Sequence, residues 1–213
     1  MIPLFMKNRT FFIFVPAGIL LAGCLSIGNT ETRFYVLNPI DTGTSLVAES
    51  EEKGKLSVEV ASLRLPQYLE KPQIVIRTSV NRLELEEFHQ WGGNLRKNMT
   101  RVLAKNLSHL LATPNIAISP YRPPTPPDFR IEFEVMQFER GPDAKVHFSV
   151  QWRLSSGKEH KALTTQITDL SSPEVSIKPD FEHTVSEMSA LIGELSKIIG
   201  EEILKHKHRM SEL

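Results

Sequence analysis

Cysteine is almost absent: Cys24 is the only one in 213 residues. No disulfide can form within the chain, so an oxidising compartment adds nothing to its stability, which has to come from packing. An apolar run able to cross a bilayer is also missing. A spanning helix needs about 20 residues, and the uncharged stretch from Phe11 to Ala22 has only 12, with Pro16 inside it. There is no Gly-x-Ser-x-Gly elbow, no His-Glu-x-x-His and no glycine-rich phosphate loop, so the usual signatures of a hydrolase, a zinc protease or a nucleotide-binding enzyme are lacking. Charge of one sign is not in excess either, since 25 basic side chains face 25 acidic ones, and a nucleic-acid partner has no basic surface to meet. We expect no catalytic residue and no metal site; the seven histidines are scattered, His147 on the polar side of a strand and His206 and His208 in a solvated basic helix end.

What the chain does have begins at its N-terminus. Lys7 and Arg9 precede the short apolar run, and Leu21-Ala22-Gly23-Cys24 closes it, which is the layout of a secretory signal. Met6 would serve equally well as an initiator. The last four residues resemble the lipobox of bacterial lipoproteins. That resemblance implies cleavage between Gly23 and Cys24, a thioether from Cys24 to diacylglycerol and a further acyl chain on the freed amine, with no other cofactor. Two or three chains give stable anchoring where one holds only marginally. Leu25 stands where enterobacterial lipoproteins retained in the inner membrane carry Asp, so the outer membrane is the expected destination, with the folded part facing the periplasm. Without Lys7 and Arg9 the mature chain has 23 basic and 25 acidic residues, a net charge of −2. The expected organisation is a removed signal over 1–23, a lipidated tether over 24–33, one domain over 34–206 and a basic tail over 207–213.

Periodicity predicts the domain's elements. Strands are expected at Phe34–Leu37, Leu56–Val60, Gln73–Thr78, briefly at Arg82–Leu85 and at Ile116–Ile118; residues 41–55 and the proline-rich 119–128 read as loops. From Phe88 to Leu111 apolar residues recur every three or four positions through Trp91, Leu95, Met99, Val102 and Leu107, an amphipathic helix that Gly92-Gly93 can delay and Pro114 stops. Phe129, Ile131, Phe133 and Val135 alternate until Met136 breaks phase, which points to a bulge. Val146 to Leu154 alternate without a break, and Ala162–Thr168 completes an antiparallel meander. A second helix spans about Asp180–Leu204, capped by Asp180 or Thr184. The fold class is therefore α/β (α+β): a single mixed sheet containing an antiparallel meander, with two long amphipathic helices packed on it.

These segments, taken in order, resemble the PqiC family, the membrane-integrity-associated or ABC-type transport auxiliary lipoproteins. The resemblance is carried by the lipobox cysteine, Tyr35-Val36-Leu37, the run from Leu65 through Tyr68, Leu69 and Pro72 to Arg77, Trp91 with Leu95, and Phe138 followed by Trp152-Arg153-Leu154. Gln67, Lys71 and Gly92-Gly93 depart from the family's usual residues. The resemblance implies a non-enzymatic subunit of an intermembrane lipid transport system that supports membrane integrity, docking an inner-membrane MCE-domain, PqiB-like protein. Tyr68, Leu69 and Trp91 are candidate contacts with that partner, weighed against burial in the core; Trp152, in phase with Phe148, reads as core. The membrane, reached through the anchor, is the second partner, and self-association is open. The competing readings are a lipoprotein holding an acyl chain in a pocket of its own and, with less in its favour, a hydrolase.

Overall fold

The computed structural model describes residues 31–40, 45–46, 56–121, 124–173 and 180–211. The chain divides into two compact units, Met1–Glu31 and Thr32–Leu213; the first, Glu31 apart, lies outside the described residues, and with it the signal segment, Gly23 and Cys24.

The second unit is a mixed eight-stranded sheet with two helices packed on it. Its strands are β1 (Arg33–Tyr35), β2 (Val58–Arg64), β3 (Gln73–Ser79), β4 (Arg82–Trp91), β5 (Ile116–Ile118), β6 (Phe129–Arg140), β7 (Val146–Ser156) and β8 (Ala162–Ser171), and its helices are α1 (Leu95–Leu110) and α2 (Phe181–Ser211). The expected meander is β6–β7–β8. Its alternation is the reason it forms: Phe129, Ile131, Phe133 and Val135 of β6 and Val146, Phe148, Val150, Trp152 and Leu154 of β7 are all buried. Each such side chain contributes about 2 kcal/mol by leaving water. Across the ladder Phe133 faces Trp152 and Phe138 faces Phe148. The register shifts between Val135 and Gln137, so the bulge falls at Met136 as its break of phase requires.

Strand β6 organises the rest. Its other edge takes β2 in parallel along residues 129–134 and then β3 at Arg140. Beyond β2 lies β5, and beyond β3 lie β4 and β1, the last pairing in parallel with residues 89–91.

The helical spacing from Phe88 misleads in one place. Phe88 and Trp91 belong to β4, which runs on to Trp91 instead of stopping at Leu85. Tertiary hydrogen bonds decide this: Trp91 N–H donates to the Pro72 carbonyl and Gly92 N–H to the Tyr35 carbonyl, both at 2.7 Å, so this backbone is already committed to the sheet. Gly92 permits the close approach, since a Cβ there would sit 3.0 Å from Val36 Cγ1. Helix α1 then starts at Leu95, with the Asn94 side chain accepting from Lys97 N–H at 3.0 Å, a standard N-cap. At its far end Ala112 adopts φ 47°, and Thr113 N–H and Ala112 N–H return to the Ser108 and His109 carbonyls, the Schellman closure that usually uses glycine. Helix α2 starts on Asp180, whose Oδ1 accepts from the amides of Glu182 and His183. Thr184 is not its cap, because its hydroxyl donates back to the Asp180 carbonyl. The helix continues past Leu204 to Ser211, taking Lys207, His208 and Arg209 of the expected tail with it.

Candidate functional site

After β1, residues 37–40 form a strap along the two helices. Asn98 of α1 acts like a neighbouring strand, accepting from Leu37 N–H at 2.8 Å and donating to the Leu37 carbonyl at 3.3 Å. Asn106 repeats half of this, accepting from Ile40 N–H at 2.9 Å while its amide donates to Ser196 of α2 at 3.1 Å. Asn38 N–H reaches Ser189, and Leu46 N–H reaches the Leu110 carbonyl. As the strap advances its partners advance along both helices, so strap, α1 and α2 run in one direction. Gly193 makes room for it: a Cβ there would lie 2.4 Å from Ile40 Cγ2. A fully buried Asn106 needs such partners, because an unpaired buried amide costs about 1–3 kcal/mol.

At the start of the strap, where the chain enters from the N-terminal segment, an open cleft of about 1300 Å³ lies between β1 and the first turns of α2. Its floor is aromatic. His89 stacks on Phe181 with ring centroids 3.9 Å apart, and the Tyr35 hydroxyl meets His89 Nδ1 at 2.8 Å. Phe34 and Val36 stand at its rim, 66% and 53% exposed. Its two serines of α2 are Ser186 and Ser189, and Ser189 is spent on the strap and the Val185 carbonyl. The cleft sets these aromatic rings beside charged and polar residues, Arg33, Asp180, Glu182 and His183 among them, and holds no activated nucleophile among the described residues.

The Leu-Pro-Gln-Tyr-Leu run forms a 3-10 turn over Gln67–Glu70 that lies against a buried polar node. Glu139 at the end of β6 is fully buried. Its carboxylate accepts from the Tyr68 hydroxyl and from Arg77 Nε, both at 2.8 Å, and from the Phe138 amide at 3.0 Å. Arg77 also donates to the Val80 carbonyl, and Arg96 pairs with Glu70 at 2.7 Å, which ties the turn to α1. Burial and then the adjacent Glu139 charge push the Tyr68 phenol well above its ordinary value, so it remains a neutral donor. Of the three candidate contacts, Leu69 and Trp91 are core residues at 3% and 6% exposure; Tyr68 alone keeps part of its surface, with its hydroxyl held by Glu139. Trp152 is core as expected. Glu139 and Arg77 escaped sequence reasoning as site residues, since nothing local distinguishes them from strand polar residues.

Two histidines are better connected than a solvated reading allows. His147 Nε2 lies 3.0 Å from Asp143 and its Nδ1 lies 3.2 Å from the Ser171 hydroxyl. This acid–imidazole–hydroxyl order has the outline of a nucleophilic triad, but none of the three residues lines the aromatic cleft beside β1. His206, with its side chain 13% exposed, meets Thr164 at 2.9 Å and Glu202 at 3.1 Å. All of these contacts fall on Nε2, which makes the cluster a tie between α2 and β8 rather than a relay. No helix among the described residues is long and apolar enough to cross a membrane.

A family model described as "ABC-type transport auxiliary lipoprotein component" matches residues 35–200. Among solved structures, a Xanthomonas campestris protein is 11% identical with a TM-score of 0.66, covering 85% of this chain and 100% of its own. An uncharacterised protein is 20% identical with a TM-score of 0.62, covering 81% and 99%. At these identities the two structures share the fold. No curated protein matches the chain in sequence.

Proposed function

Because the chain belongs to the family of ABC-type transport auxiliary lipoprotein components, we propose that it is cut before Cys24, acylated there and held at the outer membrane as the docking subunit of an MCE-type intermembrane lipid transport system. The family match over residues 35–200 is the observation that carries this reading. Chain geometry supports it. Eight residues separate Cys24 from Arg33, the first residue of β1, and at no more than about 3.6 Å per residue they reach roughly 30 Å. A domain confined in this way works beside one membrane, and an inner-membrane MCE-domain protein spans the remaining distance to it. No chemical step is required of the lipoprotein.

The test compares the full chain with Cys24→Ser. Intact mass after membrane extraction should show the added acyl chains on the wild type only, density-gradient fractions should place it with the outer membrane, and an MCE-domain protein should co-purify in detergent. An unacylated, freely soluble wild type, or acylated protein that never retains an MCE-domain partner, counts against the reading. A second reading, carriage of a lipid, draws on the aromatic cleft beside the exposed Phe34 and Val36. Native mass spectrometry showing a bound phospholipid that Phe34→Asp removes would favour it.

A further inference from the structure

Three large apolar side chains stand in water where the chain enters the domain. Tyr35 of β1 faces His89 and Phe181 on the helical side of the sheet, so Phe34 and Val36, which alternate with it, face the opposite side. Phe34 lies beside Gln90 in the parallel ladder, and Phe88, two residues before Gln90 on β4, shares that side. Phe34, Val36 and Phe88 are 66%, 53% and 39% exposed. A cluster of this kind marks a contact surface. Val80, Tyr121 and Ile167 are also exposed, but they stand at separate places in the fold, and apolar residues scattered singly need no explanation.

What covers the cluster follows from where it sits. Phe34 comes ten positions after Cys24, at most about 36 Å of chain. On the reading that Cys24 is acylated, on which this inference rests, the cluster stays next to the bilayer that holds the anchor. We propose that Phe34, Val36 and Phe88 are the face of the domain that rests on lipid, sunk into the headgroup layer of that bilayer. Amphipathic aromatic rings collect at this depth, and Tyr35, its hydroxyl held by His89, lies beside the cluster. The nearby charges are of both signs, Arg33 against Asp180 and Glu182, so insertion of apolar side chains carries the contact and attraction to anionic lipid adds little. The tether makes the contact intramolecular, and a small cluster is then enough. Acyl chains keep the domain on the membrane, and the cluster decides which side of it faces lipid.

Once Cys24 is acylated an added cysteine is the only free thiol in the chain, which allows a nitroxide label at one chosen position of the full, membrane-extracted protein. Phe34→Cys, Phe88→Cys and, as an aqueous reference, Val80→Cys are labelled and reconstituted into vesicles of phosphatidylethanolamine and phosphatidylglycerol. Oxygen concentrates in lipid and a nickel chelate in water. The ratio of their collision rates with the label should be several-fold higher at 34 and 88 than at 80, and should hold at high salt. Phe88→Cys leaves Phe34 in place, so the two positions check each other. A label at 34 or 88 as wet as that at 80, one shielded from both reagents as a covering protein would shield it, or one that turns wet at high salt overturns the proposal. Intact mass reads the anchor separately. A chain without acyl mass and with a second nitroxide, on Cys24, overturns the anchor reading and the lipid-facing side with it; an acylated chain with a wet label at 34 overturns the lipid-facing side alone.

Discussion

Glu139 and Asp143 stand four residues apart at the β6–β7 turn, and each gathers a hydroxyl and a basic group. Their surroundings differ. Glu139 is fully buried between Tyr68 and Arg77, whereas Asp143, its side chain 47% exposed, pairs with His147, whose other ring nitrogen meets Ser171 on the sheet's open side. Water solvates the second cluster whether or not its bonds form, so its bonds exchange for others at little net gain. The first cluster has no such substitute, because a buried carboxylate without donors is costly. Similar chemistry therefore yields a structural node in one place and a surface ornament in the other, and only the node joins the Leu-Pro-Gln-Tyr-Leu turn to the sheet.

The largest expected effect is at Glu139. Glu139→Ala strands the Arg77 guanidinium and the Tyr68 hydroxyl and should destabilise by about 3 kcal/mol in urea unfolding, against less than about 1 kcal/mol for Asp143→Ala; equal losses would break the contrast. Tyr68→Phe removes one of three donors to the same carboxylate and should cost about 1.5–3 kcal/mol. If instead it leaves the unfolding midpoint unchanged and abolishes partner co-purification, Tyr68 is an interface residue and the node is held by Arg77 and the Phe138 amide.

The two clusters should also fail at opposite ends of the pH scale. The Tyr68 phenol is raised in the folded chain by burial and then by the Glu139 charge. Its contribution is complete below the ordinary tyrosine value of about 10 and is lost as pH rises towards the folded value, so Tyr68→Phe should flatten the alkaline limb of stability against pH. For Asp143, burial works to raise the value, but the hydrogen bonds from His147 and the Lys145 amide together lower it below its ordinary 3.8. Its contribution is present above that point and fades as pH falls through the lowered value. Salt should weaken that acid limb, the carboxyl being largely exposed. The smallest effect belongs to His147→Ala, within about 0.5 kcal/mol by thermal unfolding; a larger loss would mean that the surface chain of bonds carries structural weight.

Legibility followed the range of the interactions involved. Strict alternation made β6 and β7 readable, and one misplaced methionine located the bulge. The amphipathic stripes of both helices were equally plain. Phe88 and Trp91 were misassigned because a strand that ends near a helix can mimic helical spacing, and only the bonds to Pro72 and Tyr35 reveal which backbone they belong to. Glu139 was unreadable for a related reason. After the bulge Phe138, Glu139 and Arg140 are all buried, so alternation no longer separates core from surface, and the side-chain donors that satisfy Glu139, Tyr68 and Arg77, lie 71 and 62 residues away in sequence.

From its residues alone the chain settled what depends on neighbours along the backbone: the periods of its strands and helices, its one cysteine and the absence of any internal crosslink, and the fold class these imply. Which polar groups are buried and which aromatics are surface were decided only in three dimensions. Burial and pairing belong to residues brought together by the whole fold, and no local pattern encodes who those companions are.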